Sequence, residues 1–170
     1  MKLKKWQLKD TYLTIKHNLY KNPPKEEKHY SIVTFCPRGT VVIVALTKKS
    51  ELMLLKEYRP AIKKEILNLP GGRIDKGESA EKAARREFEE EVSFKGEDFK
   101  KIGVVFPNPT RITDKCTIFF VRNVRKLKRN KNKIIFLKLA SALKLIKQGK
   151  LKCMISIAAI LLAKEKGFIR

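Results

Sequence analysis

Gly72-Arg-Ile-Asp-Lys-Gly-Glu78-Ser-Ala-Glu-Lys-Ala-Ala-Arg-Arg86-Glu87-Phe88-Glu-Glu90-Glu91-Val-Ser93-Phe94 is the stretch on which the reading of this chain turns. Ser79 is a good N-cap, and Ala80, Ala84, Phe88 and Val92 recur every four residues, so the segment predicts a helix from Ala80 to Val92 with one apolar stripe. On that helix Glu87, Glu90 and Glu91 fall within one arc of about 100° that borders the stripe. Like charges so placed repel by a few tenths of a kcal/mol per pair when exposed, and by more beside a core. Local helix energetics offer no compensation, which points to a bound cation. Ligands that are all oxygen favour a hard divalent ion, Mg²⁺ or Mn²⁺, over zinc. The alternative is a solvated acidic helix face. Against that alternative stands the preceding Leu69-Pro-Gly-Gly-Arg-Ile-Asp-Lys-Gly77, a glycine-rich loop that feeds the helix N-terminus, where backbone N–H groups favour phosphate.

Outward from this centre the chain alternates strand and helix signals. Tyr30 to Cys36 and Val41 to Leu46 are β-branched runs separated by Pro37-Arg-Gly39, which predicts two strands joined by a short turn. Leu52–Leu55, Ile102–Phe106, Cys116–Val121 and Ile134–Leu137 are further strand candidates, and helices over about Ala140–Gln148 and Ile155–Lys166 close the chain. Residues 1–29 read as short strands ending at Pro23-Pro24, an N-terminal β extension ahead of a main domain over 30–170. The order implies an α/β fold, a mixed sheet packed between helices.

Composition sets the outer bounds. With 40 Lys+Arg against 17 Asp+Glu the 170-residue chain carries a formal charge of +23, yet 43% of it is hydrophobic, enough for one folded domain. The longest apolar run, Cys153 to Ala163, is too short to cross a bilayer, so no membrane association is expected. The N-terminus lacks the apolar core of a signal peptide, and Cys36, Cys116 and Cys153 show no paired spacing, which together imply the reducing cytoplasm. Charge is segregated: twelve of the seventeen acids lie between Glu51 and Asp98, and none lies between Lys115 and Lys164. The basic stretch 122–133 is either a solvated loop or an attraction for polyanions such as RNA, though no aromatic residue interleaves it.

The spacing Gly-x5-Glu-x7-Arg-Glu-U-x-Glu-Glu-x-Gly-U, with U apolar, resembles the box of the Nudix hydrolases. Gly72, Glu78, Arg86, Glu87, Phe88, Glu90, Glu91 and Phe94 match it, and Ser93 stands at the final glycine. From average residue usage such a coincidence has a chance of about 10⁻⁸ per starting point. The glycine position implies a left-handed helix end, where Ser should cost on the order of 1 kcal/mol without touching the ligands. Lys56-Glu-Tyr-Arg59, Leu69 to Asp75, Phe106-Pro-Asn-Pro109 and Ala142 to Gly149 are similar to the corresponding parts of ADP-ribose pyrophosphatases and related nucleoside-diphosphate-sugar hydrolases.

That resemblance implies a Nudix fold and a Mg²⁺-dependent pyrophosphohydrolase that cleaves ADP-ribose or a nucleotide sugar. It implies Glu87, Glu90, Glu91 and the Gly71 carbonyl as metal ligands, Arg86 as the group that orients the glutamates, and Glu78 as a brace at the loop–helix junction. Gly72 and Pro109 would shape the substrate site, and Arg59 is either a phosphate contact or an ordinary surface arginine. The catalytic base is a helix glutamate or Asp114, which sits after Pro109 where the family often places a catalytic glutamate. The N-terminal strands would form a homodimer and cover the base, with Trp6, Tyr12 and Tyr20 either stacking on it or buried. An RNA 5′-end pyrophosphohydrolase and a non-catalytic Nudix-fold binding protein are the competing readings.

Overall fold

In the computed structural model, which describes residues 6–9, 14–19, 29–127 and 132–170, two strands run through the middle of the molecule. The first is β4 (Thr40–Ala45), the second β10 (Cys116–Val121), and they pair in parallel with Cys116 opposite Thr40 and Val121 opposite Ala45. Each is an almost unbroken apolar run because it is covered on both faces. Outside them β7 (Gly71–Arg73) pairs antiparallel with β4, and β9 (Lys100–Val105) pairs antiparallel with β10, giving the order β7-β4-β10-β9. A second sheet, β12-β5-β6, is formed by Ile134–Leu137, Leu52–Arg59 and Lys64–Asn68, and is joined to the first through a bridge between Leu46 and Leu52. A small ribbon of β8 (Phe94–Lys95) and β11 (Arg125–Lys126) lies at the end of the helix.

Strand alternation sorts the side chains into two cores. Val42, Val44, Leu52, Leu54, Cys116, Ile118 and Phe120 face one side, where they pack against α2 (Leu139–Lys147) and α3 (Met154–Glu165). Val41, Ile43, Ala45, Met53, Leu55, Phe119 and Val121 face the other, where α1 (Ala80–Val92) inserts Ala83, Ala84, Phe88 and Val92. The result is the expected α/β arrangement, mixed sheets between helices. No helix of the described residues is long and apolar enough to cross a membrane.

The helix from Ala80 to Val92 has the predicted bounds, with the Ser79 hydroxyl accepting from the Lys82 N–H at 3.2 Å. The predicted short-turn pairing of Tyr30–Cys36 with Val41–Leu46 is corrected. The first run becomes β3 (His29–Thr34), which pairs with β2 (Thr14–Leu19) and through it with β1 (Trp6–Lys9) in a separate three-stranded antiparallel sheet. Both edges of β4 are taken by β7 and β10, so no edge remains for β3. The loop near Arg111 catches β3 instead, through Val33 N–H to Arg111 C=O at 2.8 Å and Thr113 N–H to Val33 C=O at 3.0 Å. The N-terminal sheet therefore continues past residue 29 to Thr34. Tyr12 and Tyr20 lie outside the described residues, as do Lys128, Arg129 and Lys131 of the basic stretch.

Ser93 ends α1 at φ 54°, in the left-handed region, and is buried. The left-handed region disfavours a residue with a Cβ by about 1–2 kcal/mol, part of which glycine loses again through its freer unfolded chain. Ser93→Gly is therefore expected to stabilise the protein by about 0.5–1 kcal/mol, read as a shift of the urea midpoint at unchanged slope.

Candidate active site

The junction between β7 and α1 is closed by a single arginine. Arg86 Nε and Nη2 donate to Glu78 Oε1 and Oε2, each at 3.0 Å, in a two-pronged pairing, while Nη2 also reaches the Arg73 carbonyl at 2.9 Å. Its other nitrogen, Nη1, donates to Glu87 Oε1 at 2.9 Å and to Glu90 Oε2 at 3.3 Å. Glu78 in turn accepts the Asp75 N–H at 3.1 Å, so the guanidinium fastens the loop to the helix as the sequence reading expects of this pair. The hydrogen bonds from Arg86 hold the Glu78 carboxyl below its ordinary range, and the same contacts raise the arginine.

The two glycines are where backbone and side chains come closest. A Cβ on Gly71 would collide with the Val41 carbonyl and lie 2.9 Å from Val42 Cα, because β7 crosses tightly over β4. A Cβ on Gly72 would occupy the position of the Glu87 carboxylate. The segment read from sequence as a loop thus includes a three-residue strand that delivers Gly71 and Gly72 to the acidic face of the helix.

Glu91 is the carboxylate that Arg86 does not neutralise. Gly71 N–H donates to its Oε2 at 2.9 Å, and burial pushes its pKa up to about 7, aided by the charges of Glu57 and Glu87 and opposed by the Gly71 hydrogen bond and Arg59. Glu57 is a residue that sequence reasoning passed over. It stands on β5 and accepts from Arg59 Nη2 at 2.8 Å and Asn68 Nδ2 at 2.9 Å. The available signal was its place in Lys56-Glu-Tyr-Arg59, but only the pairing of β5 with β6 shows that it faces the site. The expectation that nothing local offsets the acidic arc is corrected: Arg86 offsets Glu87 and Glu90, and the uncompensated group is Glu91.

A cleft of about 210 Å³ opens beside these residues, lined by Arg59, Asn68, Gly71, Gly72 and Arg73 among others. All three cysteines also line it, although they are far apart in sequence, and none is in a disulfide. Pro109 and Asp114 are not among the lining residues. Pro109 is exposed, and the Asp114 carboxylate is occupied by backbone donors, with Oδ2 accepting from Cys36 N–H at 2.9 Å and Oδ1 from Phe35 N–H at 3.1 Å. These bonds anchor the loop against the end of β3.

The donor set suits a hard divalent cation, since it is entirely oxygen and includes a carboxylate that its neighbours' charges hold protonated. Among the described residues no three carboxylate, histidine or cysteine side chains converge closely enough to hold an ion as they stand, because Arg86 draws Glu87 and Glu90 to itself.

These features agree with the comparisons. The NUDIX domain family matches residues 37–149, and the chain belongs to that family. Two relatives are named ADP-ribose pyrophosphatase. The one from Bacillus subtilis is 26% identical over 93 residues, 55% of this chain and 50% of its own length. That from Saccharomyces cerevisiae is 30% identical over 101 residues, 54% of this chain and 44% of its own length. The chain spans half or less of the length of these relatives. A solved structure described as an ADP compounds hydrolase superposes with a TM-score of 0.78 at 21% identity, over 98% of both chains, which shows the shared fold. The resemblance to the ADP-ribose pyrophosphatase branch thus holds, and Nudix hydrolases as a family use a divalent metal.

The raised Glu91 pKa has a measurable consequence in metal-free protein. Its folded value lies above the ordinary carboxylate value of 4.5, so between the two the folded chain binds the extra proton and stability falls as pH rises. The thermal midpoint of the wild type minus that of Glu91→Gln should therefore decrease from about pH 5 to about pH 8. A constant difference across that range would remove Glu91 as the titrating group.

Proposed function

We propose that the protein is a divalent-metal-dependent pyrophosphohydrolase that cleaves the diphosphate of ADP-ribose or a related nucleoside diphosphate sugar, releasing a nucleoside monophosphate and a sugar phosphate. The observation that carries this reading is the meeting of Glu87, Glu90 and Glu91 with the Gly71-Gly72 strand at a cleft that also holds Arg59. Glu87, Glu90 and Glu91 would hold the metal, with Mg²⁺ the leading ion and the Gly71 carbonyl a further oxygen donor. When bound, the cation neutralises diphosphate charge and acidifies water.

The chain's own groups do the rest. Arg86 keeps Glu87 and Glu90 turned toward the strand, and the Gly71 N–H orients Glu91. Arg59, at the cleft wall, binds a substrate phosphate in exchange for part of its pairing with Glu57. Gly72 lets the substrate and Glu87 approach the backbone. The base that takes the proton of the attacking water is a glutamate of the helix, a choice supported by the occupation of both Asp114 oxygens by backbone donors. Pro109 acts through the shape of its loop. The same reading places the protein in the cytoplasm as a homodimer formed through the N-terminal sheet, whose outer strand β1 has one unpaired edge in the single chain.

Glu90→Gln is expected to lower kcat by two or more orders of magnitude while circular dichroism stays unchanged, because Glu90 is largely exposed and the replacement removes charge at constant size. Wild-type turnover in that variant would overturn the metal-site assignment. Substrate class is tested by competition at about 150 mM salt, where surface charge is screened beyond about 8 Å. There kcat/KM for ADP-ribose should exceed that for 5′-triphosphorylated RNA by at least about tenfold, equivalent to about 1.4 kcal/mol. A preference for RNA would replace the ADP-ribose reading with the RNA 5′-end one.

A further inference from the structure

The charge of +23 has a place in the fold where it meets aromatic rings. Two neighbouring cavities, of about 370 and 310 Å³, share Arg122 and Phe168 as lining residues. Both lie at the C-terminal ends of β4 and β10, whereas Thr40 and Cys116, which line the catalytic cleft, stand at the opposite ends of those strands. Six residues from Cys116 to Arg122 correspond to about 20 Å of extended chain, so the two sites open on opposite ends of the sheet.

Lys48, Arg122 and Arg170 contribute to the larger cavity and Lys100 to the smaller. Of all the lining residues, the one acidic side chain is Asp98, in the smaller cavity. The rings are arranged beneath these cations. Phe120 and Phe168 have centroids 5.0 Å apart, the Arg122 guanidinium lies over the Phe120 ring at 5.2 Å, and Lys100 Nζ lies over the Phe168 ring at 5.2 Å. Phe120 is buried and so gives Arg122 a fixed support, while Phe168 is half-buried and Arg122 itself is exposed. A planar guanidinium held flat on a ring presents its outer face for stacking, and the flanking lysines present point charges at phosphate distance. Sequence alone shows no aromatic residue within the basic stretch 122–133. Folding brings one in from the C-terminal tail.

From this geometry we infer that the groove around Arg122 and Phe168 binds single-stranded RNA, with a base on the Arg122–Phe120 stack and backbone phosphates on Lys48, Lys100 and Arg170. A single strand fits because it exposes base faces, which a duplex hides within its stack. The site is separate from the hydrolytic cleft, so binding there tethers the protein to RNA without occupying the cleft.

The test is fluorescence anisotropy of a labelled 12-nucleotide oligouridylate over a KCl series, with three variants of the full chain. Lys100→Ala/Arg122→Ala should weaken binding at 100 mM KCl by at least about tenfold and reduce the salt slope by about 1.4, since each lost phosphate contact on a single strand removes about 0.7. Phe168→Leu keeps the apolar packing but removes the ring. It should weaken binding about fivefold with the slope unchanged, because no phosphate contact is lost. Lys144→Ala/Lys147→Ala removes the same charge from the exposed last turn of α2, outside both cavities, and should leave affinity within about twofold of wild type. ADP-ribose hydrolysis and thermal midpoint, measured on the same samples, should not change in the Lys100→Ala/Arg122→Ala protein. Equal losses in the two double variants would mean diffuse attraction by net charge and would overturn the groove. An unchanged salt slope in Lys100→Ala/Arg122→Ala, or a parallel loss of hydrolysis, would overturn it as well.

Discussion

The site depends on the position of the Arg86 guanidinium. Five donors in a rigid planar fork allow one side chain to bind Glu78, Glu87, Glu90 and a backbone carbonyl together. A lysine in its place would offer one point charge and could not hold the loop and two helix glutamates in a fixed relation. The acidic face is tolerable in folded protein because this cation lies within it, and Glu91, left outside the fork, is the group whose protonation responds.

The surrounding fold supplies the rigidity that such a site needs. The side of α1 opposite the carboxylates is sealed into the core by Phe88, fully buried and in edge contact with Phe99 at 5.8 Å between centroids. Burial of a side chain of that size contributes about 1.5–3 kcal/mol, enough to keep the helix from rotating its glutamates away from β7. The strand side is equally constrained, since Gly71 lies so close to Val41 and Val42 that no side chain fits between them. Helix and strand are thereby held at a spacing set by backbone contact.

The central strands connect the two ends of the molecule and keep them distinct. Along β4 and β10 the side chains alternate between two cores, so neither strand can slip by one residue without exchanging its whole set of contacts. This fixed register places thiols, glycines and carboxylates at one end and the cation–aromatic groove at the other. Substrate hydrolysis and polyanion attraction can then be altered independently.

Local periodicity and spacing were enough for the class of fold and the centre of the site. The bounds of α1, its Ser79 cap, the strand from Cys116 to Val121 and the left-handed Ser93 were all legible, because each is governed by residues within a turn or two of one another. The carboxylate arc was legible for the same reason, as helix geometry alone aligns Glu87, Glu90 and Glu91. Tertiary structure decided everything that depends on which edge is left unpaired or which distant residue arrives. It sent β3 to the N-terminal sheet, because β7 and β10 had already occupied β4. It brought Glu57 from β5 to raise Glu91, drew Asp114 to the end of β3, gathered three cysteines around one cleft and laid Phe168 beside Arg122. None of these contacts has a local signature. Each is made by side chains dozens of residues apart, set in place by strand pairing and the packing of two cores.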